Sequence, residues 1–210
     1  MIVSNFTVVV ANSSHTQYAE EICDEMSASA AKRGTGIAKR TSTYVAQKMI
    51  EGKAVIAFTE SGKWAGFTYI ESWEGEKYVA NSGLIINPKY REIGLAKIIK
   101  RKAFALSIKK FPGATLFGLT TGFAVMKIND QLGYHPVTFN YLTKDDKFWA
   151  GCKSCVNYNI LMAKERNNCL CTAMIFDSAK DPLKFDLDVV LEETEYTLPA
   201  NNNNLKPHTK

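Results

Sequence analysis

The sequence predicts an α/β (α+β) fold, a mixed and mostly antiparallel central sheet flanked by helices. Three observations predict it. Residues 54–58 and 64–73 read as an antiparallel strand pair joined at Ser61-Gly62. Leu84, Ile85 and Ile86 form a continuously apolar run that suits a strand covered on both faces, and Pro88, which supplies no N–H to a ladder, closes it. Beyond the turn, Ile98, Ile99, Phe104, Ala105 and Ile108 recur at helical spacing.

The other elements follow in order. Residues 6–11 read as a first strand, and Asn12, Ser13 and Ser14 as caps for a helix over 15–31 carrying Tyr18, Ile22, Cys23 and Met26. A loop over 32–40 holds cations and two glycines, and a second helix spans 42–51. Glu74-Gly75-Glu76 turns the hairpin into the central strand, and residues 114–121 form the next one. A helix follows and ends at Leu132-Gly133-Tyr134. Residues 144–150 suit a short helix, while 156–163 and 170–176 suit two strands around the turn at 165–168. The acidic stretch 184–196 suits an edge strand or a partner surface.

A chain of 210 residues, 46% of them hydrophobic, can bury a sizeable core. One domain is expected over 1–197, with its core at 6–140 and an extension at 141–197, followed by a disordered asparagine-rich tail at 198–210. No run of 18 apolar residues is present, so no spanning helix is expected. The N-terminal apolar stretch has no basic segment before it, which suits a strand better than a signal peptide, and a cytoplasmic address is expected. The net charge of +5 is concentrated between Lys89 and Lys110, where eight Lys or Arg stand against Glu92 alone. That block suits a solvated helix face or attraction of phosphate. No aromatic residues are interleaved as in a nucleic-acid groove, which argues against nucleic acid.

The chemistry centres on Arg91-x-x-Gly94-x-Ala96, at the start of the helix after the apolar strand. A helix start presents unpaired N–H groups and the positive end of the macrodipole, and small residues let a pyrophosphate approach the backbone. Glu71, between Tyr69, Ile70 and Trp73, can accept a proton from an amine if it faces a pocket, and points to solvent if the strand alternates the other way. Arg33, Lys39 and Arg40 suit an anionic ligand or a solvated loop. Cys152-x-x-Cys155 and Cys169-x-Cys171 carry four thiols. A hairpin over 156–176 would hold the two pairs roughly 25 Å apart at strand rise, so they are read as reduced core side chains and no metal ligand is assigned. Zinc remains open only if residues 158–166 are helical.

The strand–turn–helix with Arg91, Gly94 and Ala96 resembles the acetyl-CoA site of the GNAT (GCN5-related N-acetyltransferase) superfamily, whose pattern there is Gln/Arg-x-x-Gly-x-Gly/Ala. Residues 124–134, ending in Leu-Gly-Tyr, resemble that superfamily's next helix. The resemblance implies a GNAT-like sheet and an N-acetyltransferase using acetyl-CoA. The donor would lie against Leu84, Ile85 and Ile86 and against Arg91, Glu92, Ile93, Gly94, Leu95, Ala96 and Lys97. Ser82, Thr120 and Thr121 would meet the acceptor. Asn129 stands where the superfamily commonly has a Tyr that protonates the leaving thiolate, and an amide cannot serve as that acid, although it can hydrogen-bond the thiolate. Glu71 is the candidate base. Residues 33–40 and 151–158 resemble a bacterial GNAT group associated with N-acetylglutamate formation in arginine biosynthesis, which implies a small anionic amine such as glutamate. A homodimer is compatible with the resemblance. The alternatives are an acyl-CoA-binding protein without turnover, favoured by Asn129, and a zinc-containing nucleic-acid module, favoured by the cysteines and the charge.

Overall fold

The computed structural model describes residues 3–33 and 40–200. Eight strands form one mixed sheet: β1 (Val3–Val10), β2 (Ala54–Thr59), β3 (Trp64–Trp73), β4 (Tyr78–Ile86), β5 (Thr115–Thr120), β6 (His135–Val137), β7 (Thr172–Asp177) and β8 (Glu195–Pro199). Their order across the sheet is β6-β7-β5-β4-β3-β2-β1-β8. Every neighbouring pair is antiparallel except β4 and β5. The helices are α1 (Ala19–Arg33), α2 (Ser42–Ile50), α3 (Leu95–Lys110), α4 (Phe123–Leu132), α5 (Asp146–Ala150), α6 (Tyr158–Ala163) and α7 (Leu187–Glu192).

Strand alternation sorts the core onto two faces. Val55, Ala57, Val79 and Leu116 pack against Leu95, Ile99, Ala103 and Phe104 of α3 and Ile128 and Leu132 of α4. Ala54, Ile56, Phe67 and Tyr69 point the other way, onto Ile22 and Met26 of α1 and Val45 and Met49 of α2. On that second face, further along the sheet, Ala80, Phe117 and Ile175 meet Trp149 of α5 and Leu161 of α6. The helices thus cover both faces, as the long apolar runs require.

Two irregularities shape the middle of the sheet. The parallel ladder between β4 and β5 runs only through Tyr78↔Thr115, Val79↔Leu116 and Ala80↔Phe117. Beyond it, β4 continues to Ile86 without a β5 partner among the described residues, and the strands part. On the other edge of β4 the register with β3 shifts between Phe67 and Tyr69, a bulge in which the Thr68 hydroxyl donates to the Ser82 carbonyl at 2.9 Å. Gly83 sits in this bulge at φ 63°. A Cβ there would run into the Tyr69 ring and the Met26 side chain, so both dihedral and space call for glycine.

The structure departs from the sequence expectation in the C-terminal third. Residues 158–163 form α6, not a strand. Because β7 already pairs with β5 on one edge and β6 on the other, no edge of β7 is left for a hairpin partner. Leu198 and Pro199, expected in the tail, pair with Ser4 and Val3 through β8. The extension is therefore woven into the sheet at β7 and at the edge beside β1. The basic block of α3 is divided: Lys97, Arg101, Lys109 and Lys110 are exposed, as a solvated face requires, but two of its lysines turn inward. Lys100 and Lys102 are buried, Lys102 Nζ donates to the Leu191 carbonyl at 2.8 Å, Arg101 stacks on Phe185 and Lys109 pairs with Asp188 at 2.8 Å. These contacts fasten α7 and the segment before it to α3.

Gly83→Ala should destabilise the chain by about 2 kcal/mol or more, since it combines a strained dihedral with overpacking. Urea midpoints of the variant and parent check this; an unchanged midpoint would mean that the bulge is not a constraint.

Candidate functional site

The first part of the site is the helix start opposite the parted strands. After β4, Asn87 caps a short 3-10 turn over Pro88–Tyr90, and α3 begins at Leu95 with Gly94 as its N-cap at φ 97°. Glu92 also has a positive φ, 67°. The left-handed residues curl the backbone into α3; the Lys97 N–H returns to the Gly94 carbonyl at 3.0 Å, while those of Leu95 and Ala96 lie ahead of the first intrahelical acceptor. Arg91 lies at the end of this turn against α1. Its guanidinium donates to Glu25 at 2.8 Å, to the Ser29 hydroxyl at 2.7 Å and to the Ile86 carbonyl at 3.1 Å, which ties the turn to α1.

The second part is the point where β4 and β5 diverge. The next residue on β4 is Asn81, and the next on β5 is Gly118, against which the Asn129 side chain lies. Asn129 is 1% exposed. Its Oδ1, the Asn81 Oδ1 and the Tyr134 hydroxyl are buried without a hydrogen-bond partner among the described residues. Lys100 reaches the same place, with Nζ 3.4 Å from the Asn81 carbonyl and 5.8 Å from the centre of the Tyr134 ring. Burial pulls its pKa down to about 7, and it raises that of the Tyr134 hydroxyl well above the usual phenol value. Unsatisfied buried polar atoms are costly, and here they gather beside one opening.

The third part is a cavity of about 540 Å³ at the mouth of that opening, where Ser82 of β4 and Leu119 of β5 form its two lips. Glu71 faces into it. The Tyr44 hydroxyl donates to Glu71 Oε1, Arg40 Nη2 lies 3.7 Å from Oε2, and Arg40 Nε donates to the Tyr69 hydroxyl. Burial, then the hydrogen bond and charge of Glu71, hold the Tyr44 hydroxyl well above its usual pKa. Trp73, Phe148, Trp149 and Tyr158 form an aromatic wall, with Trp73 edge-on to Phe148 at 5.2 Å. The four cysteines 152, 155, 169 and 171 line the cavity as well.

The structure brings Glu71, Arg40 and Ser82 together in this cavity. Asn129 stands behind it at the divergence of the strands, while Leu84, Ile85, Ile86 and residues 91–97 form the strand, turn and helix start. Thr120 caps the turn after β5 by accepting from the Gly122 N–H at 3.0 Å, and Thr121 is exposed; neither lines the cavity. Lys39 and the side chain of Arg33 lie outside the described residues. Sequence reasoning missed Tyr44, Trp73 and Phe148. Tyr44 had no periodic signal, since Arg40 lies before the Thr41 N-cap and off the helix that carries Tyr44. The aromatic wall had none, because its members come from β3, α5 and α6, far apart in the chain.

No family model and no curated protein matches the sequence. Solved structures do match its fold. N-acetylglutamate synthase from Neisseria gonorrhoeae, complexed with coenzyme A and N-acetyl-glutamate, aligns at a TM-score of 0.56 and 11% identity, over 81% of this chain and 34% of that one. The chain thus spans about a third of that enzyme's length. A Mycobacterium tuberculosis protein in complex with CoA aligns at 0.55 and 13% identity, over 81% and 98%. A GNAT superfamily phosphinothricin acetyltransferase from Sinorhizobium meliloti, in complex with acetyl-CoA, aligns at 0.54 and 14% identity, over 85% and 94%. At these identities the likeness is one of fold.

Lys100 sets a pH dependence. The unfolded chain keeps it protonated up to about 10.5, the folded chain only up to about 7. Between those values the unfolded state binds more protons, so stability rises with pH, by at most about 1.4 kcal/mol per unit. Below that window the cost of the buried charge is fully present. Lys100→Met should therefore stabilise the chain most at about pH 6 and least at about pH 10. Equal gains at both pH values, measured by urea unfolding, would contradict a neutralised buried lysine.

Proposed function

We propose that this chain, which has the fold of the GNAT acetyltransferases, moves an acetyl group from acetyl-CoA to the amine of a small acceptor. The observation that carries the proposal is the conjunction of the parted β4 and β5, an open helix start beside them, and a cavity with a carboxylate at their mouth. The residues fit the donor. Polar atoms left unpartnered on Asn81, Asn129 and Tyr134 gather where a pantetheine arm would enter, and Gly118 presents no Cβ there. Acetyl-CoA brings its acetyl group as an activated thioester.

The following roles are assigned in this proposal. Backbone N–H groups of Leu84 and Ile86, on the edge of β4 away from β3, polarise the acetyl carbonyl, while Ile85 between them pairs with Phe67 of β3. The backbone of residues 91–97 holds the pyrophosphate at the start of α3. Glu71 takes the proton from the attacking amine, and Tyr44 and Arg40 hold its carboxylate in place. The C–N bond forms as the C–S bond breaks, and Asn129 donates a hydrogen bond to the departing sulfur while solvent supplies its proton.

For the acceptor we infer an amino acid, with glutamate the first candidate. The Neisseria synthase supports this reading, as does Arg40, a cation on the cavity wall. A second reading rests on the aromatic wall: an amine bearing an aromatic or apolar group would bury that group against Trp73 and Phe148.

Thiol release from acetyl-CoA, measured over a panel of glutamate, aromatic amino acids, arylalkylamines and polyamines, tests both readings. Turnover with glutamate alone supports the first, and turnover with the aromatic members supports the second. Glu71→Gln should lower kcat by roughly 10²- to 10⁴-fold while CoA affinity stays unchanged. CoA binding without turnover on any member would leave a binding protein in place of an enzyme.

A further inference from the structure

Lys100 takes no part in the roles assigned above, yet its amine ends where the gap between β4 and β5 begins. The strand register places it there. The Thr115 N–H donates to the Lys77 carbonyl at 2.9 Å, and in a parallel ladder every second residue of a strand faces the same neighbour. The carbonyls of Val79 and Asn81 therefore face β5. The other edge agrees: the Ile70 N–H donates to the Lys53 carbonyl at 2.7 Å, away from β4, so Asn81, which stands opposite Ile70, has its own peptide groups turned away from β3. Asn81 lies one residue past the last β4–β5 pair, Ala80↔Phe117. Its carbonyl thus looks into the end of the gap at which the two strands still pair, and Lys100 Nζ donates to it at 3.4 Å.

The surroundings of this amine differ from those of Lys102, its buried neighbour on α3, which fastens α7 through the Leu191 carbonyl. Among the described residues no carboxylate lies within ion-pair distance of Lys100. The Asn81 side chain is held from elsewhere, its Nδ2 donating to the Ser107 hydroxyl at 2.7 Å, which donates in turn to the Ala103 carbonyl at 2.7 Å. Asn81 Oδ1 and the Tyr134 hydroxyl are left without a partner beside the amine. Burial without a countercharge lowers the Lys100 pKa to about 7, so at neutral pH a large share of folded chains carries a neutral amine. A desolvated neutral lysine is a nucleophile, which an ammonium is not.

We propose that Lys100 Nζ is a self-acetylation site, which takes the acetyl group of a donor bound between β4 and β5. The inference rests on the reading of that gap as an acetyl-CoA site. A donor whose pyrophosphate sits at the start of α3, beyond Ile86, runs its arm back along β4 and brings its thioester toward the paired end, where Lys100 lies. Rotation of the flexible four-carbon stem carries Nζ from the Asn81 carbonyl to the thioester. The nitrogen lone pair adds to the thioester carbonyl carbon, the C–N bond forms as the C–S bond breaks, and the proton of the nitrogen passes to the departing sulfur, which leaves as free CoA. The product is an uncharged amide, which removes the cost of a buried charge. It also brings a donor and an acceptor to a place where Asn81 Oδ1 and the Tyr134 hydroxyl lack partners.

The full chain, incubated with acetyl-CoA and no acceptor, should gain about one acetyl group, or about 42 Da, by intact mass, and peptide mapping should place it on Lys100. Excess CoA, which competes for the gap without carrying an acetyl group, should slow that gain at least about tenfold and leave chance acetylation of exposed lysines unchanged. Lys100→Arg, which keeps the charge and removes the nucleophile, should lose the mapped group. The mapping and competition on the parent chain stand even if the variant does not fold. Titration calorimetry with CoA on the same sample separates the two readings. Binding of CoA with Lys100 unmodified would overturn this inference and leave acetyl transfer to a small acceptor in place, whereas no binding would overturn both. Acetyl groups spread over exposed lysines alone, or a gain on Lys100 that excess CoA does not slow, would also overturn it.

Discussion

The shortness of the β4–β5 ladder is the constraint on which the rest depends. The ladder lasts for three residue pairs, and past them β4 keeps an edge of peptide groups that no strand covers. Such an edge is a liability in most sheets because it invites another chain. Here it is sheltered: α3 and α4 cover one face, and α1, α2 and the α5–α6 segment cover the other. The opening is thus a slot between β4 and β5 with helices over both faces. The bulge at Gly83 belongs to the same geometry, since it turns β4 just where the slot begins.

Charge is arranged around this slot with unusual economy. Of the cations between Lys89 and Lys110, Lys100 and Lys102 are buried, Lys102 and Lys109 hold α7 and Arg91 holds α1, while burial lowers the Lys100 pKa at the divergence of the strands. The cavity carries its own network, in which Arg40 bridges Tyr69 and Glu71 while Tyr44 donates to the same carboxylate. A carboxylate held by two partners is fixed in direction, which a base needs more than it needs isolation. Arg40 is also the link between β3 and the segment preceding α2, so acceptor contacts there would be felt in both.

How much of this was legible in the sequence varied with the range of the signal. The strand–turn–helix from β4 to α3 was fully written in local pattern, with an apolar run, Pro88, Gly94 and a 3.6-residue period, and the structure reproduces it. The hairpin of β2 and β3 was equally plain. Residues 156–163 failed because an apolar run of that length does not distinguish strand from helix; the choice was made by β7, whose two edges were already taken. That error carried into the cysteines, whose separation had been inferred from the wrong element. At the site, Glu71 and Ser82 could be named from their strands, whereas the aromatic wall and the inward lysines are tertiary facts with no local trace.

The most direct test of the central claim is amide hydrogen exchange in the full chain, with and without saturating CoA. Exchange reports local opening residue by residue, and it needs neither turnover nor knowledge of the acceptor. Slowed exchange confined to the amides of residues 82–86 that face away from β3 and to residues 93–97 is the expected result, because those amides face the slot and the start of α3. Unchanged exchange there, or protection that falls only on residues 145–171, would contradict the account.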